Sequence, residues 1–216
     1  MKAISILACA GVLCGSTIAF SGPGGRPGTA NSPQSEMRKA DSQKADGQRT
    51  SSQQASGQQA STQLAFGQLK TLAGNWKGKA VMGHLGGKDI GAVHVSLRVT
   101  SGGAAIMHEM VPEGRSADPS DGDNDPITML YMDGERLMLT HYCDSGKNRP
   151  RMTGKLSADG KKVEFDFLDV AGGTKFGHMH RAVFTFIDAD HHTEDWTFMT
   201  PANQAGQAHI DLVREK

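Results

Sequence analysis

The chain has 216 residues, with 23 Lys and Arg set against 23 Asp and Glu, so its formal net charge is zero at neutral pH with His uncharged. That balance, and the absence of any basic stripe, excludes electrostatic capture of nucleic acid or of an anionic membrane surface. No apolar run after the first residues is long enough to span a bilayer.

Met1-Lys2 followed by Ala3 to Ala19 pairs a positive start with an apolar run of about 17 residues, the form of a cleavable secretory signal over 1–21. Cleavage after Ala19 or after Ser21 satisfies the small-residue requirement. The expected location is therefore outside the cytoplasm, periplasmic or secreted. Removal of the signal takes Cys9 and Cys14 with it, which leaves Cys143 alone and no internal disulfide. Residues 22–63 are rich in Ser, Gln, Gly, Ala, Lys and Asp, with Met37 the one large apolar side chain. Such a segment buries too little surface to offset the entropy of ordering, and it reads as a disordered linker.

Order is expected from Leu64, and the domain is assigned to 64–216. Leu64, Ala65, Gln68, Leu69 and Leu72 fit one or two helical turns ending at Gly74. Strands follow at Asn75 to Met82, Ile90 to Thr100, Ala104 to Val111, Ile127 to Met132, Arg136 to Tyr142 and Arg151 to Leu156. The series continues with Lys162 to Leu168, His178 to Ile187, Thr193 to Thr200 and Gln207 to Val213. Period-two alternation is clearest in Val163, Phe165, Phe167 and in Val93, Val95, Leu97, Val99. Gly86-Gly87, Gly102-Gly103, Asp133-Gly134 and Asp159-Gly160 fall between neighbouring strands and supply the positive φ of tight hairpins. About ten strands joined this way favour an all-β, antiparallel up-and-down barrel, because closure removes exposed edges. Pro112 to Pro126 is the one long connection.

Leu72-Ala73-Gly74-Asn75-Trp76-Lys77-Gly78 resembles the Gly-x-Trp-x-Gly first strand of calycin-type barrels, the lipocalin and nitrobindin-like group. His108-Glu109, Met129 to Gly134, Leu139 to Cys143, Asn148 to Met152, Met179 to Arg181 and Glu194 to Trp196 follow in an order similar to that of exported bacterial lipocalin-like proteins of unknown function. The resemblance covers Leu64 to Val213 and implies a small calycin-like barrel without an assigned activity. Nitrobindin-like proteins hold haem through a late histidine, for which His209 is the corresponding candidate.

Candidate site residues come from side chains that strand alternation projects together. His108, Tyr131, His141, Arg151, His180 and Trp196 form a polar and aromatic lining suited to a small apolar or amphipathic ligand, with Arg181 and Tyr142 adding to it for an anionic one. In the alternative, Arg151 pairs with Glu109 or Glu194 in a buried network, and Trp76 and Trp196 close the core. His178 and His180 share a face, as do His141 and Cys143, so His141, His178 and His180 are weak candidates for a metal. Zinc lacks a third ligand fixed by spacing, and calcium at Asp118, Asp121, Asp123 and Asp125 lacks the Gly and terminal Glu of an EF-hand loop. No cofactor is expected. His191 and His192 flank a turn and are expected to be exposed. The leading expectation is a non-catalytic ligand-binding barrel. The alternatives are a metal-dependent or His/Glu109-based enzyme in the lumen, and an envelope protein acting through its polar arm.

Overall fold

The computed structural model describes residues 57–83, 89–114, 126–142 and 146–216. The signal and most of the linker, the Gly86-Gly87 turn, the Asp-rich loop and Cys143 lie outside the described residues. Ten strands form the barrel: β1 (Gly74–Gly83), β2 (Asp89–Thr100), β3 (Ala105–Pro112), β4 (Ile127–Asp133), β5 (Arg136–Tyr142), β6 (Arg149–Leu156), β7 (Lys162–Ala171), β8 (His178–Asp188), β9 (His191–Met199) and β10 (Ala205–Arg214). Each pairs antiparallel with its successor, and β10 returns to β1 from Trp76↔Arg214 to Gly83↔Gln207, which closes the sheet. The up-and-down barrel anticipated from hairpin spacing is thus what forms. Its turns follow the local chemistry: Gly134 and Gly160 adopt φ of 61° and 69°, values an L side chain rarely takes.

A helix over residues 57–71, here α1, precedes β1. It begins well ahead of Leu64, so the last residues assigned to the linker are helical. The reason is tertiary: Thr62 is buried, and its hydroxyl donates to the Glu135 carbonyl in the β4–β5 turn at 2.9 Å. Gln68 donates to the Gly160 carbonyl in the β6–β7 turn at 3.2 Å. Ala65, Phe66, Leu69 and Leu72 are buried on one helical face, whereas Leu64 points to solvent. α1 therefore lies across one end of the barrel and seals it, and we call that end the floor.

Trp76 anchors the floor. Its indole N–H donates to the Leu72 carbonyl at 2.8 Å, the His192 ring meets it edge-on at 4.2 Å, and the Arg214 guanidinium lies 4.1 Å from its ring centre. Arg214 also donates to the carbonyls of Ala73, Thr71 and Ala189, tying the helix end and the β8–β9 turn to the last strand. Above this level Leu130, Leu137, Leu139, Met152, Phe165, Phe184, Ile210 and Leu212 fill the interior.

Close packing of β1 on β10 explains one glycine. A Cβ on Gly78 would lie 1.7 Å from the Asp211 carbonyl oxygen, which is backbone and has little freedom to retreat. Gly78→Ala is expected to cost about 2 kcal/mol or more through forced separation of the closing strands. A urea midpoint equal to that of the parent would refute it.

Candidate functional site

β9 runs from floor to mouth, and its alternation places His192, Glu194 and Trp196 on the inner face in ascending order. His108 projects inward from β3 between outward neighbours, and Thr128 and His141 face inward from the paired strands β4 and β5. The result is a buried polar column inside an otherwise apolar barrel.

Glu194 is its centre and has no solvent exposure. His108 Nε2 lies 3.0 Å from Oε2 and 3.2 Å from Oε1, His192 Nε2 lies 3.2 Å from Oε1, and the Trp196 N–H donates to Oε2 at 3.0 Å. Burial alone would raise the pKa of this carboxyl. The charge of His108 and the hydrogen bonds from both imidazoles outweigh it and hold Glu194 well below the usual carboxylate range. Each imidazole that gives its Nε2–H to Glu194 leaves Nδ1 as its second polar atom, and in both His108 and His192 that Nδ1 is buried and has no hydrogen-bond partner among the described residues.

Nearer the mouth, Thr128 Oγ1 and His141 Nδ1 are 2.8 Å apart. Burial and the charge of His108 push the His141 imidazole down to about 4. His108 and His141 each stand 5.6 Å, centre to centre, from the Trp196 ring, and Phe184 meets the indole edge-on at 5.8 Å. At the mouth His180 stacks on Phe167, with His178 Nε2 3.2 Å from His180 Nδ1. Burial and the adjacent His180 lower the pKa of His178. Asn148 locks the β7–β8 connection by donating to the carbonyls of Gly173 and Gly177 at 2.7 and 2.8 Å.

Three of the six expected lining residues, His108, His141 and Trp196, therefore converge inside. His180 sits apart from them against Phe167. Tyr131 and Arg151 require correction, because both lie on the outer wall: Tyr131 bonds Thr140 Oγ1 at 3.0 Å, and Arg151 pairs with Asp169 through Nε at 2.7 Å. Arg181 is also outside, paired with Glu164 and Asp166. His209, the haem-ligand candidate, faces outward with Nδ1 2.6 Å from Asp195 Oδ1. Glu109 occupies the outward phase of β3. Among the described residues no three His, Cys, Asp or Glu side chains converge to hold a metal, so His141, His178 and His180 do not form one site. His192, expected to be exposed, is fully buried.

Glu194 and His192 are the residues that sequence reasoning missed as site members. Their signal lay in β9, where His192, Glu194, Trp196 and Phe198 share one phase while Thr193, Asp195 and Thr197 share the other. A concavity of about 350 Å³ lies outside the barrel across β8, β9, β10 and β1, lined partly by Val81, Arg181, Val183, Asp195 and His209.

No family model matches the chain, and no curated protein matches it. Among solved structures it is similar to a protein of unknown function of the DUF3598 family from Nostoc punctiforme, at a TM-score of 0.47 and 11% identity, over 68% of this chain and 48% of that one. It is also similar to an S-type phycobiliprotein lyase from Guillardia theta, at a TM-score of 0.37 and 9% identity, over 68% of this chain and 90% of that one. The chain thus spans about half the length of the DUF3598 protein.

Proposed function

We propose that this chain is an exported, calycin-like barrel that binds a small ligand through the end opposite α1, against His108, His141 and Trp196, without transforming it. One observation carries the reading: two imidazoles and an indole N–H surround the buried Glu194 carboxylate, with the His141 ring beside the same indole, where packing alone asks only for apolar side chains. Buried polar groups of this kind cost stability unless fully satisfied, and two ring nitrogens here have no partner among the described residues. A ligand that bonds them would offset that cost.

Native mass spectrometry of the protein taken from its own cell envelope tests the proposal. The expected result is a retained small-molecule mass that denaturation releases. A bare mass under the gentlest conditions, together with unchanged Trp196 fluorescence on refeeding an envelope extract, would overturn it. Trp196→Phe assigns the signal, since Trp76 is the other tryptophan.

A second reading, catalysis, is favoured by the His108–Glu194 contact. A carboxylate that fixes one imidazole nitrogen leaves the other as a general base. A purified adduct whose mass changes with time, and ceases to change in Glu194→Gln, would select that reading over passive binding.

A further inference from the structure

The sequence pointed to an amphipathic ligand that arginines would attract if it were anionic, and the structure reverses the sign of that expectation. Arg151 and Arg181 are on the outer wall, each spent on carboxylates there. Among the described residues, the buried polar side chains are Thr62, His108, Thr128, His141, Asn148, His192 and Glu194, with no Lys or Arg among them. The buried carboxylate therefore has imidazoles and an indole N–H as its neighbours, with no permanent cation nearby.

Resting on the ligand-binding reading above, we infer that the site takes a ligand headed by an uncharged or cationic hydrogen-bond donor, a primary alcohol or amine, on an apolar tail. Three features lead there. In its uncharged form, with the Nε2–H committed to Glu194, the His108 ring offers at Nδ1 a lone pair and nothing else, so the partner that form lacks is a donor. The His108 ring that carries this nitrogen lies against Phe184 and Trp196, with ring centres 6.1 and 5.6 Å away, so the head group arrives in apolar surroundings. A carboxylate-headed ligand would bring a second negative charge beside Glu194, and two carboxylates sharing an interior cannot both stay ionised without repulsion. An ammonium head, by contrast, supplies beside Glu194 a permanent cation, which the buried side chains among the described residues do not include.

The test is a titration of the unmodified protein at pH 8, above the ordinary imidazole range, with decylamine, decanol and decanoate, each kept below its micelle-forming concentration. Trp196 fluorescence and native mass spectrometry report occupancy. Decylamine is expected to bind tightest and decanol next. Decanoate should be weaker than decanol by about tenfold or more, equivalent to about 1.4 kcal/mol. His108→Phe keeps a ring but removes the acceptor, and it should bring decanol down towards decanoate. Decanoate binding as tightly as decanol to the unmodified protein would overturn the inference, whatever the variant does. Silence of all three probes while the envelope-derived protein still carries an adduct would overturn the donor class and leave ligand binding standing. Silence in both experiments would remove both.

Discussion

Trp76→Ala should lower the unfolding free energy by about 4 kcal/mol, the largest single-residue effect expected in this barrel. The indole is fully buried and sits where three parts of the chain meet: the end of α1, the first strand and the last. Its removal leaves a cavity under the helix, frees the Leu72 carbonyl from its donor, and takes away the surface on which Arg214 and His192 rest. The helix is then held mainly by Phe66, Leu69 and the bonds of Thr62 and Gln68. Trp76→Phe refills most of the volume and should recover about half of the loss, since it restores packing without the N–H. Urea unfolding followed by Trp196 fluorescence measures both variants, and a loss below about 1 kcal/mol for the alanine would contradict this account of the floor.

Acidification from pH 7 to pH 4 should cost about 3 kcal/mol through His141 alone. The folded barrel keeps this imidazole neutral down to about 4, whereas an unfolded chain protonates it near the ordinary value of 6.5. Between those two values the unfolded state binds more protons. Stability is therefore complete above 6.5, falls as the pH drops through the window, and levels off below about 4 as far as this group is concerned. Glu194 acts lower down. Its folded carboxyl titrates below the unfolded one, so the stability it contributes is present above the ordinary value of 4.5 and is lost as pH falls below that. His141→Phe should flatten the upper window, leave the lower one intact, and release Thr128 from its partner. Urea midpoints at half-unit pH intervals would separate the two groups. A parent protein whose midpoint is level from pH 7 to pH 5 would mean that His141 is not buried as described.

Much of this architecture was legible because short-range chemistry dictates it. Asp-Gly pairs placed the β4–β5 and β6–β7 turns. Alternation in β2 and β7 separated two phases without saying which faces in, and the structure buries Val93, Val95, Leu97, Val163 and Phe165 while leaving Val99 exposed. The start of α1 was not legible, since Gln58 to Gln63 carries no apolar stripe and is ordered by Thr62 reaching a turn far along the chain. Lining residues were legible only where a strand's two phases contrast. In β4 both phases carry large apolar groups, Leu130 and Met132 on one and Met129 and Tyr131 on the other, so nothing local said that Tyr131 faces out. β6 did offer a contrast. Arg149, Arg151 and Lys155 share one phase, while Pro150, Met152 and Leu156 share the other, which marks Arg151 as a residue of the wall. The central role of Glu194 needed the third dimension, because its partners come from β3 as well as its own strand.

The pairing of β1 with β10 has a kinetic meaning. Trp76 and Arg214 are partners in the ladder with eight strands between them in the chain, so their pairing must wait until almost the whole domain has been synthesised. Every earlier stage is an open ribbon with a free edge at β1, and the loop to be closed is the longest the domain contains. Folding should therefore be slow for a domain of this size, with ring closure as its late step. A growing chain halted before β10 would be a sticky sheet, open to pairing with its own kind.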